Sequence, residues 1–127
     1  MDITNVIKIF ADQNRLRILN ILKNNELCVG EIQTLLNLKQ SNVSRHLEKL
    51  YFLDIIKKQK KAQWVYYSLN NDFILKYNFI ENLIFNDLEN YKIYQSDINK
   101  LNMYINSKMN CKNLRNCGFD FNKLNIN

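Results

Sequence analysis

The stretch Lys39-Gln40-Ser41-Asn42-Val43-Ser44-Arg45-His46-Leu47-Glu48-Lys49-Leu50 decides how the chain folds. Val43, Leu47 and Leu50 recur at helical spacing and form an apolar stripe, while the start of the segment is crowded with hydrogen-bonding side chains. Just upstream, residues 29–36 read as a short helix with Ile32, Leu35 and Leu36 turned inward, and residues 37–40 as a turn. Two short helices joined by a tight turn, the second polar at its start, make a helix-turn-helix. Downstream of Asp54 the period changes from helical to alternating. Residues 55–58 and 64–69 form two β-rich runs around the tip Lys57-Lys58-Gln59-Lys60-Lys61, the pattern of a hairpin or wing.

Working toward the amino terminus, Ile3, Val6, Ile7 and Phe10 mark a first helix ending near Ala11. Asp12 reads as the N-cap of a second helix carrying Leu16, Ile18, Leu19, Ile21 and Leu22. Toward the other end, Phe73, Tyr77, Ile80, Ile84, Leu88 and Tyr91 align as one stripe of a helix over residues 72–94. Such a helix is about 35 Å long at ~1.5 Å per residue, more than a small domain covers, so the stripe is expected to pack against a second copy. Ser96 is expected to cap a further helix with Ile98, Leu101, Met103 and Ile105, and residues from 109 onward read as loop. The expected class is mainly α with a small β hairpin: a winged helix-turn-helix, dimeric through its terminal helices. Residues 1–94 would form the DNA-binding and dimerisation domain, and residues 95–127 a C-terminal helix and Cys-containing tail.

Proline is absent and glycine occurs only at Gly30 and Gly118, in keeping with a helical chain. No apolar run in the 127 residues approaches a membrane span and no export signal opens the sequence, so a cytoplasmic location without membrane contact is expected. Of the formal charge of +6, four units fall between Ser41 and Gln63, where six Lys or Arg face two acids. A concentrated basic cluster favours an anionic polymer as partner. Catalysis is not expected, because no nucleophile–base set, phosphate loop or zinc-hydrolase motif is present.

Gln40, Ser41, Asn42, Ser44, Arg45 and His46 are the candidates for contact with double-stranded DNA, since a recognition helix reaches base edges with its first turns. Arg45 is the leading base reader. Ser41 and Ser44 suit phosphate contacts, or simple capping. Lys57, Lys58, Lys60 and Lys61 would add contacts to phosphates independent of base sequence.

The runs Ala11-Asp12-Gln13-Asn14-Arg15-Leu16-Arg17-Ile18-Leu19, Glu26-Leu27-Cys28-Val29, Gln40-Ser41-Asn42-Val43-Ser44-Arg45-His46-Leu47 and Trp64-Val65-Tyr66-Tyr67-Ser68-Leu69, in that order and spacing, resemble the arsenic-repressor (ArsR/SmtB) family of dimeric winged-helix repressors. The resemblance covers residues 6–70. Gln13, Asp54 and Ala62 depart from it, standing where the family carries Pro, Gly and Gly. It implies a homodimer on an inverted-repeat operator, released by an inducer.

Which inducer turns on the cysteines. Arsenic-responsive members begin the third helix with Glu-Leu-Cys-Val-Cys, whereas this chain has Glu26-Leu27-Cys28-Val29-Gly30 and lacks the second thiol. Cys111 and Cys117 restore the count of three that family arsenic sites use. The resemblance therefore implies Cys28, Cys111 and Cys117 as ligands of trivalent arsenic or antimony, with cadmium and zinc behind them and no obligatory cofactor. Zinc and nickel sensors use histidines on the last helix, but His46 is the only histidine and Glu81, Asp87, Glu89 and Asp97 read as solvated surface. Other readings stay open: Cys28 as a small buried residue, idle tail thiols, a Cys111–Cys117 disulfide in a redox- or persulfide-sensing repressor, or an interaction module without an inducer.

Overall fold

The computed structural model describes residues 1–117, with side chains through Leu114. Helices α1 (Ile3–Phe10) and α2 (Gln13–Leu22) lead into a short strand β1 (Leu27–Cys28). Helices α3 (Val29–Leu36) and α4 (Gln40–Phe52) follow, then strands β2 (Ile56–Lys61) and β3 (Trp64–Leu69). The remainder is helical: α5 (Asn71–Lys76), α6 (Asn78–Phe85), a 3₁₀ turn (Asp87–Asn90), α7 (Lys92–Asn106) and α8 (Cys111–Cys117).

Local chemistry sets the boundaries of the first half. Asp12 caps α2 by accepting the Arg15 N–H at 3.0 Å, so α1 and α2 stay separate helices. Asn37 ends α3 in the left-handed region at φ 53°, and Lys39 stands as the N-cap of α4. Asp54 (φ 62°) and Ala62 (φ 56°), both at positions where the resembled family has glycine, also lie in that region. Ala carries a cost there of about 1–2 kcal/mol, and the hairpin nonetheless closes around it. Its register runs from Ile56 opposite Leu69 to Lys61 opposite Trp64. The wing is more than the expected hairpin, because β1 pairs antiparallel with β3 and places Cys28 opposite Tyr66 in a three-stranded sheet of order β1-β3-β2.

A continuous core fills the space between the helices, with Ile18, Leu19, Ile21, Ile32, Leu47, Leu50 and Ile55 wholly inaccessible or nearly so. Here the second half departs from expectation. The single helix over residues 72–94 does not form, because Tyr77 and Tyr91 adopt extended backbone and Asn86 leaves helical geometry. These breaks let the stripe fold over its own domain, where Ile80, Ile84 and Leu88 are buried. The middle of the stripe thus serves the chain's own core, while Phe73 and Tyr77 are half-buried and Tyr91 is exposed. Ser96 lies inside α7 rather than at its cap, α7 crosses the boundary expected at 94/95, and the loop expected after residue 109 contains α8. Leu101, Tyr104 and Leu114 join the same core as α2 and α3.

Buried polar groups tie these layers together. Asp97, expected as surface, is 1% exposed and takes a bidentate pair from Arg17 (2.8 and 2.9 Å), while Arg17 also donates to the Leu36 carbonyl at 3.1 Å. The guanidinium thus clamps α2, the end of α3 and α7, and the Asp97 hydrogen bonds hold its pKa above the ordinary value. Asn20 donates to the Tyr94 carbonyl. No described helix is long and apolar enough to cross a membrane.

His46 corrects a sequence expectation. It is 5% exposed, and its Nδ1 accepts from Arg15 Nε at 3.2 Å, while the same guanidinium reaches the Ile9 carbonyl. The imidazole is a neutral strut between α2 and α4, not part of the exposed face of α4. Burial lowers its pKa; Asp12 opposes this, and the charges of Arg15, Arg45 and Lys49 reinforce it. Because the unfolded chain protonates His46 first, the strut's contribution is full above pH about 6.5 and declines as pH falls through the folded pKa. Glu31, whose pKa is shifted upward, acts in the opposite sense, but it is common to wild type and variant and cancels in their difference. The stability difference between wild type and His46→Gln, read from urea midpoints, should therefore shrink between pH 7.5 and 5.5. A difference that stays constant over that range contradicts the neutral strut.

Candidate DNA-reading face and thiol site

On α4 the residues divide by face. Val43, Leu47 and Leu50 are wholly buried, Gln40, Ser41 and Arg45 are exposed, and Asn42 and Ser44 are half-buried at the base of the same surface. Arg45 donates to the Asn42 side-chain oxygen at 3.1 Å, which holds the guanidinium along the helix. These five expected contacts share the accessible side, and only His46 leaves it. On β2 the four lysines are all exposed but alternate: Lys58 and Lys60 on one face, Lys57 and Lys61 on the other. Lys58 lies over the Tyr51 ring at 4.2 Å, and Lys61 pairs with Glu26. That ion pair is exposed and adds little stability, yet it competes with any phosphate for Lys61.

The second cluster forms where β1 passes into α3. Cys28 is the N-cap of α3, and it is joined by a disulfide to Cys111, the first residue of α8, 83 positions later, with 6.6 Å between Cα atoms. Two of the three expected thiols therefore meet. The side chain of Cys117 lies outside the described residues. The alternative Cys111–Cys117 bridge is corrected, because both residues belong to α8. Six helical positions separate Cα atoms by about 10 Å, beyond the ~7 Å limit for a disulfide.

Glu31, which sequence reasoning missed, stands against this pair. Its Oε1 accepts the Cys28 N–H at 2.9 Å and lies 3.4 Å from Cys111 Sγ, and its Oε2 accepts from the Tyr104 hydroxyl. Burial raises the Glu31 pKa, partly opposed by those two hydrogen bonds. Burial and the Glu31 carboxylate both drive the Tyr104 pKa well above its usual value. An acid at the third position of α3 is a capping signal that was readable. Tyr104 carried none. A cavity of about 500 Å³ adjoins the cluster, lined by Cys28, Cys111, Gln33 and Thr34 and reaching Gln40 of α4 and Trp64 of β3.

The helix-turn-helix and wing have counterparts in known proteins. The family model for bacterial regulatory proteins of the arsR family matches residues 12–58. The transcriptional repressor SdpR of Bacillus subtilis (strain 168) is 36% identical over 66 residues, 52% of this chain and 73% of SdpR. The arsenic resistance transcriptional regulator ArsR1 of Pseudomonas putida is 44% identical over 66 residues, 51% of this chain, and the match spans only 52% of ArsR1. Among solved structures, reduced HlyU from Vibrio cholerae N16961 aligns with a TM-score of 0.55 at 38% identity, over 61% of this chain and 80% of HlyU. The two curated relatives are transcriptional regulators and not enzymes. With helix-turn-helix, wing and sequence in agreement, the chain belongs to the arsR family of bacterial regulatory proteins.

Proposed function

We propose that this chain is a homodimeric transcriptional repressor of the cytoplasm that grips an inverted-repeat DNA operator and releases it when a thiophilic inducer, trivalent arsenic or antimony, engages Cys28 and Cys111, with Cys117 as third ligand. The observation that carries the inducer assignment is the meeting of Cys28 and Cys111: two thiols held this close chelate a soft ion. Likeness to the arsenic resistance regulator ArsR1 supports it. DNA binding is supported by the shared exposed side of Gln40, Ser41, Asn42, Ser44 and Arg45 and by the lysines of β2. Dimerisation is supported by the exposed apolar side chains of α1, Ile3 and Ile7, each about half accessible.

Cys28 sits opposite Tyr66 in the wing sheet, so displacement of its sulfur is transmitted to the wing, and α3 packs on α4. For release, the inducer must prefer the free form, and a hundredfold preference corresponds to about 2.7 kcal/mol. A second reading, oxidation of the pair in a redox-responsive repressor, is favoured by the Cys28–Cys111 bond itself.

Arg45→Ala is expected to weaken operator binding by roughly 10- to 100-fold while leaving nonspecific DNA nearly unaffected. Joint replacement of Lys58 and Lys60, which share a strand face, removes four lysines per dimer and should weaken all sequences alike and flatten the dependence of log K on log salt by up to about four units of slope. If the lysine pair affects only one operator, the wing reads bases and the division of labour is wrong. For the inducer, arsenite added to reduced protein on its upstream DNA should lower the anisotropy of labelled duplex in wild type but not in Cys28→Ser or Cys111→Ser. Indifference to arsenite with release on oxidation moves the assignment to the redox reading. Indifference to both favours a winged-helix interaction module without an inducer.

A further inference from the structure

The lysines of β2 are all exposed, but they are not equally free. Lys57 and Lys60 have no ion pair or ring contact among the described residues, whereas Lys58 lies over Tyr51 and Lys61 is held twice. The Lys61 ammonium bonds the Glu26 carboxylate and stands 5.5 Å from the centroid of the Tyr66 ring. We propose that Glu26 sets the DNA affinity of the wing: it holds Lys61 in the free protein, and Lys61 exchanges that carboxylate for a backbone phosphate when the duplex is seated. This rests on the DNA-binding reading above and adds Glu26 to the residues that govern it.

The topology makes the contact a strap across the sheet. Lys61 ends β2 opposite Trp64, and Glu26 stands immediately before β1, 35 positions earlier in the chain. With strand order β1-β3-β2, the pair reaches over the middle strand and ties the entry of one outer strand to the end of the other. Both partners are accessible, their side chains 50% and 34% exposed, so a phosphate reaches Lys61 without any change in the core. An exposed lysine–carboxylate pair is weak, because water screens it and two long side chains lose freedom in forming it. A duplex presents one negative charge about every 1.7 Å of its axis, and each phosphate neutralised releases a condensed counterion. The phosphate array therefore outcompetes a single carboxylate, but every binding event must first undo the strap. Neither partner reads a base, so the restraint acts on all sequences alike. Glu26 also lies outside the basic stretch from Ser41 to Gln63, and the net charge of that stretch overstates the cations ready for DNA. A carboxylate acting only through its long-range field would weaken DNA binding too, but its effect would not require Lys61.

A double-mutant cycle of Glu26→Gln and Lys61→Met in the full chain separates the two. Anisotropy at one salt concentration reads binding to the upstream duplex and to an unrelated duplex. Glu26→Gln should tighten both by roughly two- to fivefold from each protomer, the range of an exposed ion pair, and Lys61→Met should weaken both. In the Lys61→Met background, Glu26→Gln should change neither. Carbodiimide, which joins a carboxylate to an amine in direct contact, supplies a readout that needs no variant: peptide mapping should find Glu26 linked to Lys61 in the free protein and not in the duplex complex. An equal gain from Glu26→Gln in both backgrounds overturns the proposal in favour of long-range charge, and a free protein without the cross-link overturns it as well. If the cross-link forms but the wild type binds neither duplex, the DNA-binding reading fails and the strap's role with it. Duplex binding with the cross-link intact removes the exchange alone.

Discussion

A carboxylate in a protein core must find donors or give up its charge, and the buried Glu31 at the start of α3 imposes that requirement on everything around it. It is met by the Cys28 N–H, which fixes the entry of the chain from β1 into α3, and by the Tyr104 hydroxyl, 73 residues away on α7. Cys111 then closes over the group from α8. Arg17 meets a similar demand from Asp97 and pins α7 to α2. Through these two buried acids the carboxyl-terminal third of the described chain, which lies beyond the matched arsR segment, becomes part of the DNA-reading unit's own core.

That attachment puts the thiols where several elements meet. Cys28 belongs at once to the wing sheet, to the first turn of α3 and to the wall of the cavity that reaches Gln40. A shift of the Cys28 backbone moves the β1–β3 pairing and the start of α3 together, because the same residue serves both. On the proposed reading, the exposed side of α4 and the wing respond to the same pair of atoms.

Much of the first half was legible, since its boundaries are written in local chemistry. Asp12 caps, the alternation after Asp54 and the inward spacing of Ile32, Leu35, Val43 and Leu47 each act over a few residues. His46 was also readable, standing three positions after Val43 and four before Leu50 and hence on the inward side. The second half was not. No Pro or Gly marks the breaks at Tyr77, Asn86 and Tyr91, and the stripe that suggested one long helix is instead divided so that its members bury against α2. Glu31–Tyr104, Arg17–Asp97 and Cys28–Cys111 join residues 73 to 83 positions apart, and no sequence period reports such contacts.

The claim on which the account depends is that the state of the Cys28–Cys111 pair sets the affinity of the α4 face for DNA. The direct measurement is the ratio of dissociation constants on one upstream duplex, at one salt concentration, for fully reduced protein and for protein in which peptide mapping shows Cys28 joined to Cys111. The account predicts a difference of at least tenfold, about 1.4 kcal/mol. Equal affinities for the two forms would contradict it.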